Sequence, residues 1–325
     1  MSTSEFTALT VDTLRPAEAP TLYFIGVTTG SSSIQRVFPL WAEALGLEDA
    51  RLQGIDLPIH ADPEVYRRTV EFIAQDPLSR GALVTTHKID LYRAAEDLFD
   101  VRDQFSRMMG ETSCLSKSDQ GLVCHAKDPI SSGLALDAFV PDGHWARTGG
   151  EAVCLGAGGS TIAISWYLSQ LERGADRPSR IVITNRSVAR LDHIREFHES
   201  LDTDTEFAYI HAPTQEHNDA VVGSVPRGSL VVNATGLGKD APGSPLTDAA
   251  RFPEDGLAWE LNYRGDLVFL DQARAQLGKR LRHVEDGWIY FLHGWTQVVG
   301  EVFDLNIPTR GPEFARLSEL ARSTR

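Results

Sequence analysis

Ala152-Val153-Cys154-Leu155-Gly156-Ala157-Gly158-Gly159-Ser160-Thr161-Ile162-Ala163 is the stretch around which the rest of the chain can be placed. A short apolar run ends in glycines, then continues through Ile164 to Leu168 with apolar residues at helical spacing. The pattern predicts strand, glycine turn, helix. Glycines let such a turn bend sharply and bring backbone N–H groups against a pyrophosphate, where a helix N-terminus also favours negative charge. Glycine pairs also punctuate ordinary turns, so the surroundings decide the matter.

Those surroundings support a nucleotide site. A second strand, Arg180 to Thr184, ends at Asn185-Arg186-Ser187, with Arg190 following. In a nucleotide-binding βαβ unit this strand tip meets the adenosine ribose. An acidic residue there selects a free 2′-hydroxyl, whereas arginines suit a 2′-phosphate that they can grip with paired donors. NADP(H) is therefore the expected cofactor. The competing reading is a solvated helix start with basic residues on its surface.

At 325 residues the chain is long enough for two domains with substantial cores. Its net charge of −14 argues against nucleic-acid or anionic-membrane partners. No apolar run is long enough to span a bilayer, and the start Met1-Ser2-Thr3-Ser4-Glu5 has neither the basic nor the apolar part of a signal peptide. Cys114, Cys124 and Cys154 make no disulfide framework and have no close metal-ligand spacing, so no metal is expected. A cytoplasmic protein is the economical expectation, and a homodimer is compatible with it.

Taken in order, residues 1–20 read as a loose polar tail with Pro16 and Pro20. Strands are expected at Leu22–Val27, Ala50–Leu57 and Gly81–Thr85, alternating with helices carrying Val37 to Leu45 and Tyr66 to Ile73. That alternation indicates a parallel α/β layer. Leu91–Met109 reads as mostly helical, and Thr112–Leu115 and Gly121–His125 as two short strands. A helix follows Asp128, and Pro141-Asp142-Gly143 marks the entry to the nucleotide domain. That domain adds strands at Leu230–Asn233 and Leu257–Leu261, and a Gly- and Pro-rich loop from Lys239 to Pro245. A helix from Tyr290 to Phe303 returns to the first domain. The expected fold is α/β: a smaller α/β domain at 21–140, a Rossmann-type domain at 141–286, and a C-terminal helical segment at 287–325.

With these pieces in order, the chain resembles the shikimate dehydrogenase family, including its quinate/shikimate branch, from about Tyr23 to Phe303. Gly156-Ala157-Gly158-Gly159-Ser160 is similar to the family's GAGG(A/S) turn, and Asn185-Arg186-Ser187 to its Asn-Arg-Thr/Ser motif. Asn233-Ala234-Thr235, followed by Gly236-Leu237-Gly238, resembles its Asn-Ala-Thr-x-x-Gly segment. The resemblance implies an NADP domain beside a substrate domain, with chemistry in the cleft between them. It implies Lys88 and Asp128 as the catalytic pair, and Ser32, Thr85, Ser113, Tyr263 and Gln297 as substrate contacts. The cofactor residues would be Gly156 to Ser160, Asn185, Arg186, Ser187, Arg190, Asn233, Ala234 and Thr235.

Several family positions differ. Ile34 and Gln35 replace the second serine of the substrate loop and its proline, and Ser113 replaces an asparagine. Ala126 and Lys127 stand where an asparagine and a threonine precede the catalytic aspartate. Glu260 replaces an aspartate, and the C-terminal glutamine falls on Gly294, with Gln297 one turn later. A site built to hydrogen-bond hydroxyls changes substrate when its partners change.

Hydride transfer to or from a secondary alcohol needs a proton path to the same oxygen. Lys88 can supply it if a desolvated cleft lowers its pKa, with Asp128 orienting it. A surface lysine and a helix-capping aspartate is the competing reading. The expected activity is reversible hydride exchange between NADP(H) and a hydroxyl or ketone of a small cyclic, carboxylated compound. Two alternatives stay open: a catalytically silent nucleotide- or metabolite-binding regulator, and a methylene-tetrahydrofolate dehydrogenase-like enzyme. The aromatics Trp288, Tyr290, Phe291 and Trp295 suit either a less polar substrate ring or helix packing.

Overall fold

In a computed structural model, which describes residues 6–238 and 241–324, the chain divides into two compact units. One comprises Met1–Lys127 with Gly294–Arg325, and the other Asp128–His293. Apolar strand runs separated by amphipathic helices build both.

The first unit contains, in order, β1 (Thr21–Gly26), α1 (Ile34–Ala44), β2 (Arg51–Asp56), α2 (Pro63–Gln75), β3 (Ser79–Val84) and α3 (Lys88–Ala95). It continues with β4 (Val101–Arg102), α4 (Gln104–Met109), β5 (Cys114–Ser118) and β6 (Gly121–His125). Its sheet has the order β2-β1-β3-β5-β6-β4, parallel except that β5 runs against both its neighbours. Tyr23, Ile25, Ile55, Tyr66, Val70, Ile73, Val84 and Leu91 form the core on one face. On α1 the buried stripe is Ile34, Val37, Phe38, Trp41 and Ala42.

The second unit contains α5 (Asp128–Phe139), α6 (His144–Thr148), β7 (Ala152–Leu155), α7 (Gly159–Leu168), β8 (Arg180–Asn185), α8 (Val188–Glu199) and β9 (Glu206–His211). It then adds α9 (Gln215–Ser224), β10 (Leu230–Asn233), β11 (Gly256–Glu260), α10 (Val268–Arg274) and β12 (Leu281–Glu285). The six strands are all parallel, in the order β12-β11-β10-β7-β8-β9. This is the doubly wound order, and the strand sequence reverses between β7 and β10. Two helices complete the chain: α11 (Trp288–Val302), within which the division at Gly294 falls, and α12 (Pro312–Arg322). In the first unit Trp41 donates from Nε1 to the Leu317 carbonyl of α12 at 2.8 Å.

Several expectations need correction. The N-terminal segment is not loose throughout: Leu9 is buried and bridges Ile55, its N–H bonding Gly54 O at 2.9 Å. Leu91–Met109 is not one helical stretch. β4 interrupts it because Val101 and Arg102 pair with Val123 and Cys124, and the Asp103 carboxylate then starts α4 by accepting Ser106 N–H at 2.6 Å. The first unit ends at Lys127, ahead of Pro141. The reason is that α5 packs on α7, where a side chain at Gly133 would meet the Tyr167 ring at 2.3 Å. Of the loop expected from Lys239 to Pro245, Lys239 and Asp240 lie outside the described residues.

Candidate functional site

Thr85, Lys88 and Ser113 lie at one end of the strands of the first unit's sheet, and the loop bearing Ser32 leaves from the same end. Strands β1, β2, β3 and β6 all end there, and the antiparallel β5 begins there. Backbone bonds tie this end together: Thr85 N to Ile25 O at 3.0 Å, Val84 N to Ser113 O at 2.9 Å, and Ser113 N to His125 O at 2.9 Å. Ligand crevices of α/β sheets open at this end of the strands.

Lys88 is the first residue of α3, half-buried, and its carbonyl accepts Thr112 N–H at 3.1 Å. The chain reaches it through a tight turn in which His87 N–H bonds Thr85 O at 2.5 Å. Thr86, at the centre of that turn, has φ +60°. A β-branched residue in the left-handed region is strained, and strain of this kind gathers at functional turns. His87 is 1% exposed and its Nδ1 lies 3.2 Å from the Tyr66 hydroxyl, so it packs behind the turn. Burial lowers its pKa, partly offset by the Gly26 carbonyl and by Asp90.

Ser32 follows the short turn Thr29–Ser31 and is buried. The loop is pinned by Asp56, which the sequence reading missed: its Oδ1 accepts both the N–H and the hydroxyl of Thr29, at 2.8 and 2.6 Å. Ile34 and Gln35 are both buried, the latter donating from Nε2 to Thr29 O at 3.3 Å. Thr85 is half-buried, and its methyl lies 3.1 Å from where a side chain on Gly26 would begin. Ser113 is 4% exposed and its hydroxyl accepts Lys127 N–H at 2.6 Å. Gln297 is half-buried on α11.

A charged cluster beside Ser113 was not legible in the sequence. Lys127 Nζ donates to Glu301 Oε2 at 2.6 Å, and Glu301 Oε1 lies 3.4 Å from His125 Nε2. His125 Nε2 also meets the Ser116 hydroxyl at 2.8 Å, and Nδ1 faces Asp103 at 3.6 Å. Burial pushes the Glu301 carboxyl up, but Lys127 and His125 more than offset it and leave it below its ordinary value. A separation of 174 positions between Lys127 and Glu301 hides the pair from any local pattern. Among the described residues no group of three or more His, Cys, Asp or Glu is placed to hold a metal ion.

In the second unit the glycine turn sits at the strand-order reversal. Gly156 has φ +114°, and a side chain there would begin 2.7 Å from Ala234 O, so the β7 and β10 turns pack backbone to backbone. Gly158 precedes α7 as its cap with no atom within 4 Å of an added side chain, leaving its side of the turn open. Thr161 Oγ1 donates to Gly156 O at 2.8 Å and holds the turn from inside. Ala157 is buried, while Gly159 and Ser160 are half-buried at the start of α7. The first N–H groups of a helix have no acceptor within it, so the start of α7 can receive an anion.

At the end of β8, Asn185 Oδ1 accepts Ser187 N–H at 2.8 Å and fixes the bend. Ser187 begins α8 without a side-chain cap bond. Arg186 and Arg190 are exposed, and neither forms an ion pair among the described residues. This pair and the adjacent cradle suit a dinucleotide carrying a 2′-phosphate.

Asn233 is fully buried and its side chain is committed internally. Nδ2 donates to Glu260 Oε2 at 2.7 Å, and Oδ1 accepts from Thr235 N and Oγ1 at 3.1 and 2.6 Å. It therefore shapes the Ala234–Thr235 turn from beneath. Asp128 opens α5 at 7% exposure, its carbonyl accepting the Ser132 hydroxyl at 2.6 Å. Tyr263 is half-buried against the rings of Phe291 and Trp288, at 4.5 and 6.0 Å between centroids. Trp288, Phe291 and Trp295 are themselves buried, and Trp295 packs edge-on against Phe24 at 5.0 Å, so these aromatics are helix packing.

No protein-family model matches the chain. A curated relative, the shikimate dehydrogenase (NADP(+)) of Caulobacter vibrioides, is 27% identical over 186 residues, which is 57% of this chain and 58% of the relative. The match thus spans less than two thirds of that relative. Among solved structures, quinate dehydrogenase from Corynebacterium glutamicum in complex with NAD is similar, with TM-score 0.72 and 18% identity over 94% of this chain and 99% of that one. Shikimate 5-dehydrogenase from Thermus thermophilus, in complex with NADP(H) and shikimate, gives TM-score 0.68 and 23% identity over 94% and 99%. The chain is shikimate dehydrogenase-like in fold.

Proposed function

We propose that this chain, shikimate dehydrogenase-like in fold, is an NADP(H)-dependent oxidoreductase acting reversibly on a hydroxyl or ketone of a small cyclic, carboxylated compound of the shikimate or quinate kind. One observation carries the reading: an open glycine cradle at the strand-order reversal, beside a strand end bearing two arginines without ion-pair partners among the described residues. The Caulobacter relative, a shikimate dehydrogenase (NADP(+)), supports the same cofactor.

NADP(H), when bound, supplies the hydride chemistry, and the protein supplies position and the proton path. The cradle from Gly156 to Ser160 holds the pyrophosphate, and Arg186 and Arg190 grip the 2′-phosphate with Asn185 and Ser187 shaping the bend. Lys88 gives or takes the proton at the reacting oxygen, and Asp128 is the second residue of the catalytic pair. The strained Thr86 turn fixes where the Lys88 stem leaves the backbone. Ser32, Thr85, Ser113, Tyr263 and Gln297 contact the substrate. The Ser113 hydroxyl already accepts a backbone N–H, and Lys127 is engaged by Glu301. The pocket therefore offers a different hydrogen-bond pattern from one built on asparagine and threonine, and the ring it prefers differs from shikimate in its hydroxyls. The three cysteines are buried free thiols, which suits a cytoplasmic setting.

The test is an NADPH fluorescence titration run beside NADP-linked oxidation of shikimate and quinate. Binding with turnover supports the reading. Binding without turnover directs the search to other cyclic alcohols, and absence of both contradicts the reading.

A further inference from the structure

The geometry points to Glu260 and Asn262 as positioning residues that hold one wall of the cofactor crevice, an inference that rests on the NADP(H) reading above. Glu260 ends β11 and is fully buried. Its Oε2 accepts Asn233 Nδ2 at 2.7 Å and its Oε1 accepts Asn262 N–H at 2.8 Å. Both carboxyl oxygens are used as acceptors, so both neighbours present donors to them.

That requirement propagates. With Nδ2 turned to Glu260, the Asn233 amide must turn Oδ1 toward Thr235, where it receives the N–H and hydroxyl at 3.1 and 2.6 Å. With its backbone N–H fixed, Asn262 extends Nδ2 to the carbonyls of Thr235 and Leu237, at 3.2 and 3.1 Å. The turn after β10 is thus clamped from both sides, through donors and acceptors that one carboxylate orients. This same turn packs against Gly156, with Ala234 O 2.7 Å from where its side chain would begin. The clamp therefore sets the crevice wall directly across from the glycine cradle.

A buried polar group is costly unless it is hydrogen-bonded, and a backbone turn needs none. Its placement here makes sense as a way to fix one turn conformation. In the doubly wound fold the adenosine half lies toward β8 and the reacting half toward β10. The clamp accordingly acts on the nicotinamide half, and the Arg186 side acts on the adenosine half.

The experiment compares NADPH with 2′,5′-ADP, which carries only the adenosine half, by titration calorimetry on the full chain. In Asn262→Ala two hydrogen bonds to the turn are lost, and NADPH is expected to bind roughly 10-fold more weakly with 2′,5′-ADP unchanged. Asn262→Asp should be worse than Asn262→Ala, because a carboxylate then faces two carbonyl oxygens. Glu260→Gln replaces one acceptor by a donor that opposes Asn233 or Asn262, and should move NADPH affinity the same way. If Glu260→Gln fails to fold, Asn262→Ala still decides. Unchanged NADPH affinity in Asn262→Ala, or an equal loss for 2′,5′-ADP, overturns the clamp. A wild-type chain that binds neither compound overturns the cofactor reading itself, and the clamp with it.

Discussion

Alanine at Gly156 and alanine at Gly158 should have opposite consequences, though the two glycines are two residues apart in one turn. At Gly156 the backbone has φ +114°, and the new side chain begins 2.7 Å from Ala234 O and 3.0 Å from its carbonyl carbon. Backbone strain of this kind costs about 1–3 kcal/mol, and overpacking a rigid site about the same again. Gly156→Ala should therefore lose about 2–6 kcal/mol and lower the melting temperature by roughly 4–24 °C for a domain of this size. At Gly158 the cap has φ −104° and no atom within 4 Å of the added carbon. Gly158→Ala should keep wild-type stability to within about 1 kcal/mol. Its methyl instead occupies space that the pyrophosphate needs, so NADPH affinity should fall by about tenfold or more. Thermal unfolding without ligand and an NADPH titration on both variants separate the two effects. Equal melting temperatures for Gly156→Ala and wild type would refute the packing argument. Wild-type NADPH affinity in Gly158→Ala would refute the cradle.

Other outcomes follow from single residues. Arg186→Ala removes charge-assisted hydrogen bonds worth about 1.5–3 kcal/mol, so NADPH should bind roughly 10–150-fold more weakly with NADH little changed; equal losses would contradict the 2′-phosphate assignment. His198, bonded to Ser165 and Tyr209, is held neutral by burial with its pKa lowered to about 3. Its folded value lies below its unfolded one, so its contribution is present above about pH 6.5 and lost as pH falls toward 3. The urea midpoint should drop over that range with a slope reduced in His198→Phe, and identical slopes would exclude it. Thr86→Gly should relieve about 1–2 kcal/mol of left-handed strain against about 0.5–1 kcal/mol of added chain entropy. Its urea midpoint should therefore stay level or rise, while kcat falls as the Lys88 turn loosens; a clear loss of stability would show that the turn is unstrained.

The parts legible in the sequence are those written locally. β7, β8 and β10 are apolar runs ending at glycine, asparagine or arginine signals, and the strand–turn–helix at Gly156 needs only twelve consecutive residues to be read. The edge strands β9 and β12 were not recognised: β9 is a short run, Phe207 to Ile210, between Glu206 and His211, and Leu281–Glu285 mixes charged and apolar residues without a clean alternation. β4 is two residues long and exists through its pairing with β6, a tertiary cause that local pattern cannot show.

At the site, the sequence marks Lys88, the glycine turn and the Arg186 bend but not what holds them. The Asp56 bond to Thr29, the Lys127–Glu301 pair and the Glu260–Asn262 clamp all join residues far apart in the chain or depend on burial. Glu260 did carry a signal: a charge directly after the apolar run Leu257-Ala258-Trp259 stands at a strand's end, where burial demands partners. His87 shows the reverse. Its position beside Lys88 suggests chemistry, yet its packing against Tyr66 gives it a supporting place.

The proposal of a dehydrogenase whose proton passes through Lys88 is tested most directly by the NADP-linked oxidation rate of a panel of cyclic hydroxy acids, shikimate and quinate included, for wild type and Lys88→Ala at matched NADP saturation. The account predicts turnover in wild type and a loss of about 100-fold or more in kcat for the variant, with NADPH affinity retained. Equal rates in the two proteins would contradict it.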